Sequence, residues 1–570
     1  MSPDAAFSPP LVVLTSFAAM HPRAARTTGG GFVRLLSGPL PGPILASLLG
    51  LLLSGCGGGP RPSTGVAPTG ASASSATPAL PPIPHVSGPL AIAVVYPKAG
   101  TLVASRDSNF ILGAVGTGDA QLTINGYAVH VEPNGAFLAW LPVPDSATSA
   151  YNLVAVSGTD TARATQPVQL LSRQAVPDTT RDTLPHAFPD SGRYVTLDAP
   201  DSSVNDTDRT VIARPVPGGT YKWFLFPGTQ VEVTGRSVGY DRVRLDSALD
   251  AWVSLGEARI TPLPQWVHPP RRVVGPVRVV PAAGWVDVTL AMSERPPFAV
   301  EEQGTDLVLT LYGAHAATDV VHYLPGEKNP LVRTVTWTQE ASDRARYTVH
   351  LARPPYGYLA MWTGGGFVLR VRRPPVVDAG SPLNGRTIVI DPGHPPKGAT
   401  GPTGLYEPVP TLAVGQALRA ILVQRGARVV MTRTTPDSVA LGIRPIIARR
   451  ADAEALVSIH LNALPDGTNP FTSHGTGTYF FQPHSAALAR AVQAGMVRRM
   501  GLRDLGVFYD NLALVRATWM PAVLCEGAFI IIPSQEAALR TPEYQKAYAQ
   551  GVADGLEVYF RSLAATDASQ

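Results

Sequence analysis

The spacing of apolar residues changes at Pro382-Leu383-Asn384-Gly385, and no single fold accommodates both patterns. Before it, from about 89 to 374, apolar side chains alternate with polar ones in short runs separated by Gly and Pro, as strands with one buried face require. After it, continuous apolar runs alternate with stretches of helical period, the pattern of a parallel sheet covered by helices. The 56 Pro and 54 Gly residues serve the first pattern, since both punctuate turns. At 570 residues the chain is too long for one core, and at about 100–200 residues per domain it should hold three to five domains. The expected fold class is multi-domain: N-terminal all-β modules, then a C-terminal α/β domain with a mostly parallel sheet flanked by helices.

The N-terminus reads as an address. Ile44 to Leu53 is an apolar run of ten residues, too short to span a bilayer core of about 30 Å and of the length of a signal-peptide apolar region. Arg23, Arg26 and Arg34 precede it, and Leu53-Ser54-Gly55-Cys56 resembles the bacterial lipobox, so residues 1–56 are expected to be a signal peptide with Cys56 as the lipidation site and membrane anchor. The long stretch before the apolar run makes Met20 an alternative start. Gly57 follows the cysteine without the aspartate associated with inner-membrane retention, which favours the outer membrane and a periplasmic location. Residues 57–88 are Gly, Pro, Ser, Ala and Thr with little apolar bulk, a disordered linker with an r.m.s. reach of roughly 30 Å.

Three β modules are expected between the linker and the switch. Residues 89–172 carry short strands and the hairpin dipeptides Asn125-Gly126 and Asn134-Gly135, and they resemble immunoglobulin-like β-sandwiches. Residues 173–194 are a polar linker. Residues 195–264, with Phe226-Pro227-Gly228-Thr229 and Ala251-Trp252-Val253, resemble a bacterial SH3 barrel. Residues 271–374, with Gly284-Trp285-Val286-Asp287 and Arg295-Pro296-Pro297-Phe298, resemble the AMIN domain, which accompanies cell-wall amidases.

In the C-terminal domain, 381–562, His394, His460 and Glu526 each stand where an apolar strand gives way to a loop. If those strands are parallel, the three side chains gather at one sheet edge, where α/β proteins place their sites. Glu407 follows the loop Gly398-Ala399-Thr400-Gly401-Pro402-Thr403-Gly404 and can fold back over that edge. Two imidazoles and a carboxylate with an open fourth position make a catalytic zinc site, with Glu526 left as general base and acid. His474 and His484 lie among loop residues and are expected to be structural or solvated, and Cys525 should pack on the face opposite Glu526.

Four ordered motifs then carry a resemblance: Ile388-Val389-Ile390-Asp391-Pro392-Gly393-His394, Met431-Thr432-Arg433, Ser458-Ile459-His460-Leu461-Asn462-Ala463, and Pro521-Ala522-Val523-Leu524-Cys525-Glu526-Gly527-Ala528-Phe529. They resemble the N-acetylmuramoyl-L-alanine amidase family of the AMI-C or amidase-3 type. The resemblance implies Zn2+ held by His394, Glu407 and His460, catalysis by Glu526, and hydrolysis of the amide joining N-acetylmuramic acid to L-alanine in peptidoglycan, in cell-wall remodelling and cell separation. Three departures bear on loop shape: Pro395-Pro396 where the family has two glycines, Pro408-Val409-Pro410-Thr411 after Glu407, and Ile530-Ile531-Ile532 where Ser-Asn is usual.

Competing readings are a zinc carboxypeptidase or endopeptidase acting within the stem peptide, and a non-catalytic wall-binding lipoprotein. The partners expected are peptidoglycan and a membrane through the lipid anchor. A formal charge of +4 without basic runs gives no nucleic-acid footprint. Only Leu464 to His474 separates the second histidine motif from the next strand, too little for an inhibitory helix. Residues 381–570 alone are therefore expected to act without a protein activator, the β modules adding wall affinity.

Overall fold

The computed structural model describes residues 79–145, 147–170, 193–199, 210–264, 271–326 and 328–568. The apolar run at 44–53, Cys56, most of the 57–88 linker and residues 173–192 lie outside the described residues.

The first module has a three-stranded antiparallel sheet, Ala93–Tyr96, Ser108–Ala114 and Ala136–Pro142, facing a four-stranded one built from Gln121–Ile124, Tyr127–Val129, Ala150–Ser157 and Asp160–Pro167. Ile111, Phe137, Leu122, Ile124, Tyr151 and Leu153 fill the space between them. Asn125 and Gly126 both take positive φ, as a two-residue hairpin turn demands. The alternate residues of the first sheet, Phe110, Leu112 and Leu138, are buried as well, but in the core of the C-terminal domain. Residues 79–88, expected to be tether, are tied down: Val86 N–H donates to the Pro133 carbonyl at 2.9 Å, its own carbonyl accepts from Gly118 N–H at 2.9 Å, and Leu80 packs on the C-terminal core.

The second module is a seven-stranded antiparallel sheet running from Arg193–Asp198 to Arg259–Pro262 around Val195, Leu197, Val231, Val243, Val253 and Trp223. The third stacks a five-stranded on a four-stranded sheet over Val286, Val288, Leu309, Tyr347, Phe367 and Leu369.

The C-terminal domain contains β1 (Thr387–Pro392), α1 (Pro408–Gln424), β2 (Arg428–Met431), α2 (Ile443–Arg450), β3 (Ala455–Asn462), β4 (Thr476–Phe480), α3 (Ala486–Met500), β5 (Asp504–Tyr509), β6 (Ala522–Phe529), α4 (Pro533–Leu539) and α5 (Pro542–Ala568). The sheet order is β2-β1-β3-β6-β4-β5, parallel throughout except for β6 against β4. Strand alternation sends Val457, Ile459 and Cys525 into the core shared with α1, α3 and α5, and Ser458, His460 and Glu526 to the opposite face. Sequence reasoning missed β5 and α4. Asp504 and Gly506 interrupt any apolar run in β5, which gains its place only by pairing with β4.

The β modules do not hang free. Asp466, in the loop after β3, accepts from the Tyr96 hydroxyl, from Asn109 Nδ2 at 3.0 Å and from Ala104 N–H at 2.6 Å, while Gly467 N–H donates to Asn109 Oδ1 at 3.1 Å. Arg372 of the third module donates to the Ala453 carbonyl at 2.6 Å and the Asp452 carboxylate at 2.9 Å. Helix α4 touches strand Ala136–Pro142, and Phe110, Leu112 and Leu138 complete a core that includes Leu405 and Ile530 to Ile532. Removing the sandwich would open that core to water.

Candidate metal centre

Each polar residue of the site is placed by a strand or helix end. After β1, Gly393 N–H donates to the Ile459 carbonyl at 2.8 Å, extending the sheet by one residue and delivering His394 in the left-handed region at φ 57°. Gly393 must be glycine: a Cβ there would lie 2.5 Å from the His460 ring. Glu407 is the residue from which α1 starts, where the positive end of the helix dipole favours a carboxylate.

The three side chains meet. His394 Nε2 lies 3.2 Å from Glu407 Oε2, and His460 Nδ1 lies 3.3 Å from Glu407 Oε1. The two rings stand edge to face, 4.9 Å apart. One ligand atom from each of the three falls within 4.8 Å of the others, which suits a single cation, and among the described residues this is the one such group of His, Cys, Asp and Glu. Glu407 is buried, and its oxygens also accept from Ala399 N–H at 2.9 Å and Leu461 N–H at 3.0 Å, so its orientation is fixed from both sides. Burial alone would raise its pKa, but hydrogen bonds and charge from His394 and His460 outweigh that and hold it well below the usual carboxylate range. Burial lowers His394, and Glu407 more than compensates, leaving it raised. Nδ1 of His394 faces the Pro396 carbonyl at 3.3 Å, which fixes the ring with Nε2 on the side of Glu407.

Glu526 stands beside this trio. It is opposite His460 in the β3–β6 register, its Oε2 is buried with no hydrogen-bond partner, and burial together with the Glu407 charge raises its pKa well above the usual value. A buried carboxylate oxygen without a partner is costly and points to a group absent from the protein itself. The donor set of His394, Glu407 and His460 therefore fits a zinc-like cation.

The sequence profile of the N-acetylmuramoyl-L-alanine amidases matches residues 388–558, a span that holds all four residues. The C-terminal domain belongs to that family. The probable cell wall amidase LytH of Staphylococcus epidermidis is 33% identical over 186 residues, 32% of this chain and 61% of the relative. The chain thus spans about 61% of the length of the curated relatives it matches. Among solved structures, the amidase AmiC2 of Nostoc punctiforme is 32% identical and 96% covered by 30% of this chain, with a TM-score of 0.29. The catalytic domain of CwlV from Bacillus (Paenibacillus) polymyxa is 35% identical and 97% covered by 30% of this chain, also at 0.29.

Several residues that shape the amidase domain escaped sequence reasoning. Asp391 is fully buried and accepts from Thr432 Oγ1 at 2.5 Å, Ser458 Oγ at 2.7 Å and Arg444 Nη1 at 2.9 Å. Arg444 also donates to the carbonyls of Pro392, His394 and Pro395 at 3.0–3.1 Å, holding the first histidine loop against the sheet. Glu536 of α4 accepts from Thr403 N–H at 2.9 Å and Leu405 N–H at 3.0 Å, which fixes the Gly-rich loop. The signals available were Asp391 and Arg433 inside recognised motifs; nothing local marked Arg444 or Glu536. His474 pairs with Gln535 at 2.8 Å, and His484 is buried against Glu302 of the third module at 2.6 Å, so neither joins the trio. Cys525 is buried in the apolar core, and that burial raises its thiol pKa.

Proposed function

We propose that the chain is a zinc-dependent N-acetylmuramoyl-L-alanine amidase, which hydrolyses the amide between N-acetylmuramic acid and L-alanine in peptidoglycan. The observation that carries the reading is a buried, unpartnered Glu526 oxygen beside three convergent ligands, inside the segment that matches the amidase profile. His394, Glu407 and His460 would hold the ion, which when bound supplies Lewis acidity toward the scissile carbonyl and the attacking water. Glu407 stays ionised and fixed, so it neutralises part of the ion's charge without consuming a proton. Glu526, held in a dry environment, takes the water's proton and passes it to the leaving nitrogen. Mass analysis of sacculi digested by the purified mature chain tests this. Free intact stem peptides support it, trimmed stems would make the enzyme a carboxypeptidase or endopeptidase, and unchanged sacculi would leave a binding protein.

The setting is proposed with it. Cys56 is the lipid anchor, the outer membrane of a two-membrane bacterium its location, and wall remodelling at cell separation its role. Cys56→Ala should leave the membrane fraction; retention after a salt wash would count against anchoring. The loop after β3 carries no helix, so the full chain is expected to act without a protein activator.

A further inference from the structure

The sheet continues past Glu526 by two strands, and those strands are built to receive something flat. Across the rung from His460 stand Glu526, then Gly477 of β4, then Gly506 of β5. Beside the candidate base the sheet thus has two positions without side chains. On the next rung of the same face Tyr479 pairs with Phe508, their rings stacked at 4.9 Å and 22°. The Phe508 ring leans back over Gly477, where a Cβ would come within 3.0 Å of it, so any side chain at 477 would push the aromatic away from Glu526. Phe508 remains 37% exposed, although a phenyl ring gains by burial. The pair is also anchored to the site: the Tyr479 hydroxyl is hydrogen-bonded by Asn462, two residues beyond His460.

We propose that the Tyr479–Phe508 pair is a sugar subsite, on which the pyranose ring of the muramoyl unit stacks while its amide is presented to His394, His460 and Glu526. This inference rests on the amidase reading. Charge decides the polarity of the substrate. The Tyr479 hydroxyl lies in the field of Asp510, so this end of the edge suits an uncharged ring whose C–H groups meet an aromatic face and repels the carboxylates of a stem peptide. The opposite end, past His394 on β1, carries the exposed cation Lys397. The glycan lies across β4 and β5, and the stem leaves over the first histidine loop.

The test uses the full chain with two substrates, a muramoyl-peptide and the matching D-lactoyl-peptide, which keeps the scissile amide and lacks the sugar. Phe508→Ala should lower the ratio of kcat/KM for the muramoyl- over the lactoyl-peptide roughly 3- to 10-fold, through KM, and Phe508→Tyr should restore it. Equal loss on both substrates, or no loss, would overturn the proposal. A peptide-free muramic-acid glycan is titrated in parallel against Glu526→Gln protein with and without Phe508→Ala, by saturation-transfer NMR. If the wild type cleaves neither substrate the amidase reading fails, and this titration still decides the subsite. Saturation transfer to the glycan that disappears on Phe508→Ala supports it, while transfer that is missing from the start or indifferent to that substitution removes it.

Discussion

Replacing Arg444 by methionine should destabilise the amidase domain far more than loss of one surface charge would. Arg444 and Asp391 form an ion pair at 2.9 Å with side chains 3% and 0% exposed. Without the guanidinium, Asp391 keeps only the hydroxyls of Thr432 and Ser458 in a place water does not reach. Removing one partner of such a pair costs about 3–5 kcal/mol, because the remaining charge is uncompensated. For a unit of about 150–250 residues that is a fall of roughly 6–20 °C in melting temperature. The carbonyls of His394 and Pro395 lose their donor at the same time, so zinc uptake should weaken along with stability. Thermal unfolding followed by near-ultraviolet circular dichroism, with zinc titration on the same samples, measures both. Asp391→Asn added to Arg444→Met should recover part of the loss by removing the stranded charge. A single variant that melts with the wild type, or a double variant no better than the single, would refute the reasoning.

Glu526→Gln should cut turnover by about 10²–10⁴-fold and yet stabilise the metal-free protein at neutral pH. Burial and the Glu407 charge raise this carboxyl in the fold above its unfolded value near 4.5, so stability falls as pH rises from there until the raised folded value is passed; a melting gain equal at pH 4 and pH 7 would contradict this. Asp466→Ala strands the buried Asn109 amide and the Ala104 N–H, a loss of about 1–3 kcal/mol that should show as faster proteolysis within 463–475; unchanged cleavage would mean the sandwich does not brace that loop. His460→Ala should lose zinc by elemental analysis while the amidase domain stays folded, and full retention of the ion would remove His460 from the ligand set.

What could be read in the sequence was what is local. Ile388 to Ile390 and Ala455 to Val457 are continuous apolar runs because both faces of these strands are buried, and the polar residues that follow them stand out for that reason. His394, His460 and Glu526 are legible in this way, and Glu407 through the glycines before it. Interactions that span the chain left no local trace. Asp466 meets Tyr96 from 370 positions away and Glu536 meets Thr403 from 133, so each looked like an ordinary loop or helix carboxylate. Ile530 to Ile532 read only as a departure from the family pattern. Their burial in a core completed by Phe110, Leu112 and Leu138 is the physical reason a polar pair is replaced there by branched apolar residues.

That shared core also bears on how such a protein can change. A cassette that folds alone can be moved between genes by recombination at its linkers, whereas here a foreign β-sandwich placed ahead of the catalytic domain would meet Ile530 to Ile532 with the wrong shape. Substitutions at Phe110 and Leu138 are answerable to positions about 400 residues later, so the two segments must vary in step. Descent should have treated the sandwich and the hydrolase as one heritable piece, and paired substitutions between them are the trace to seek in kindred sequences.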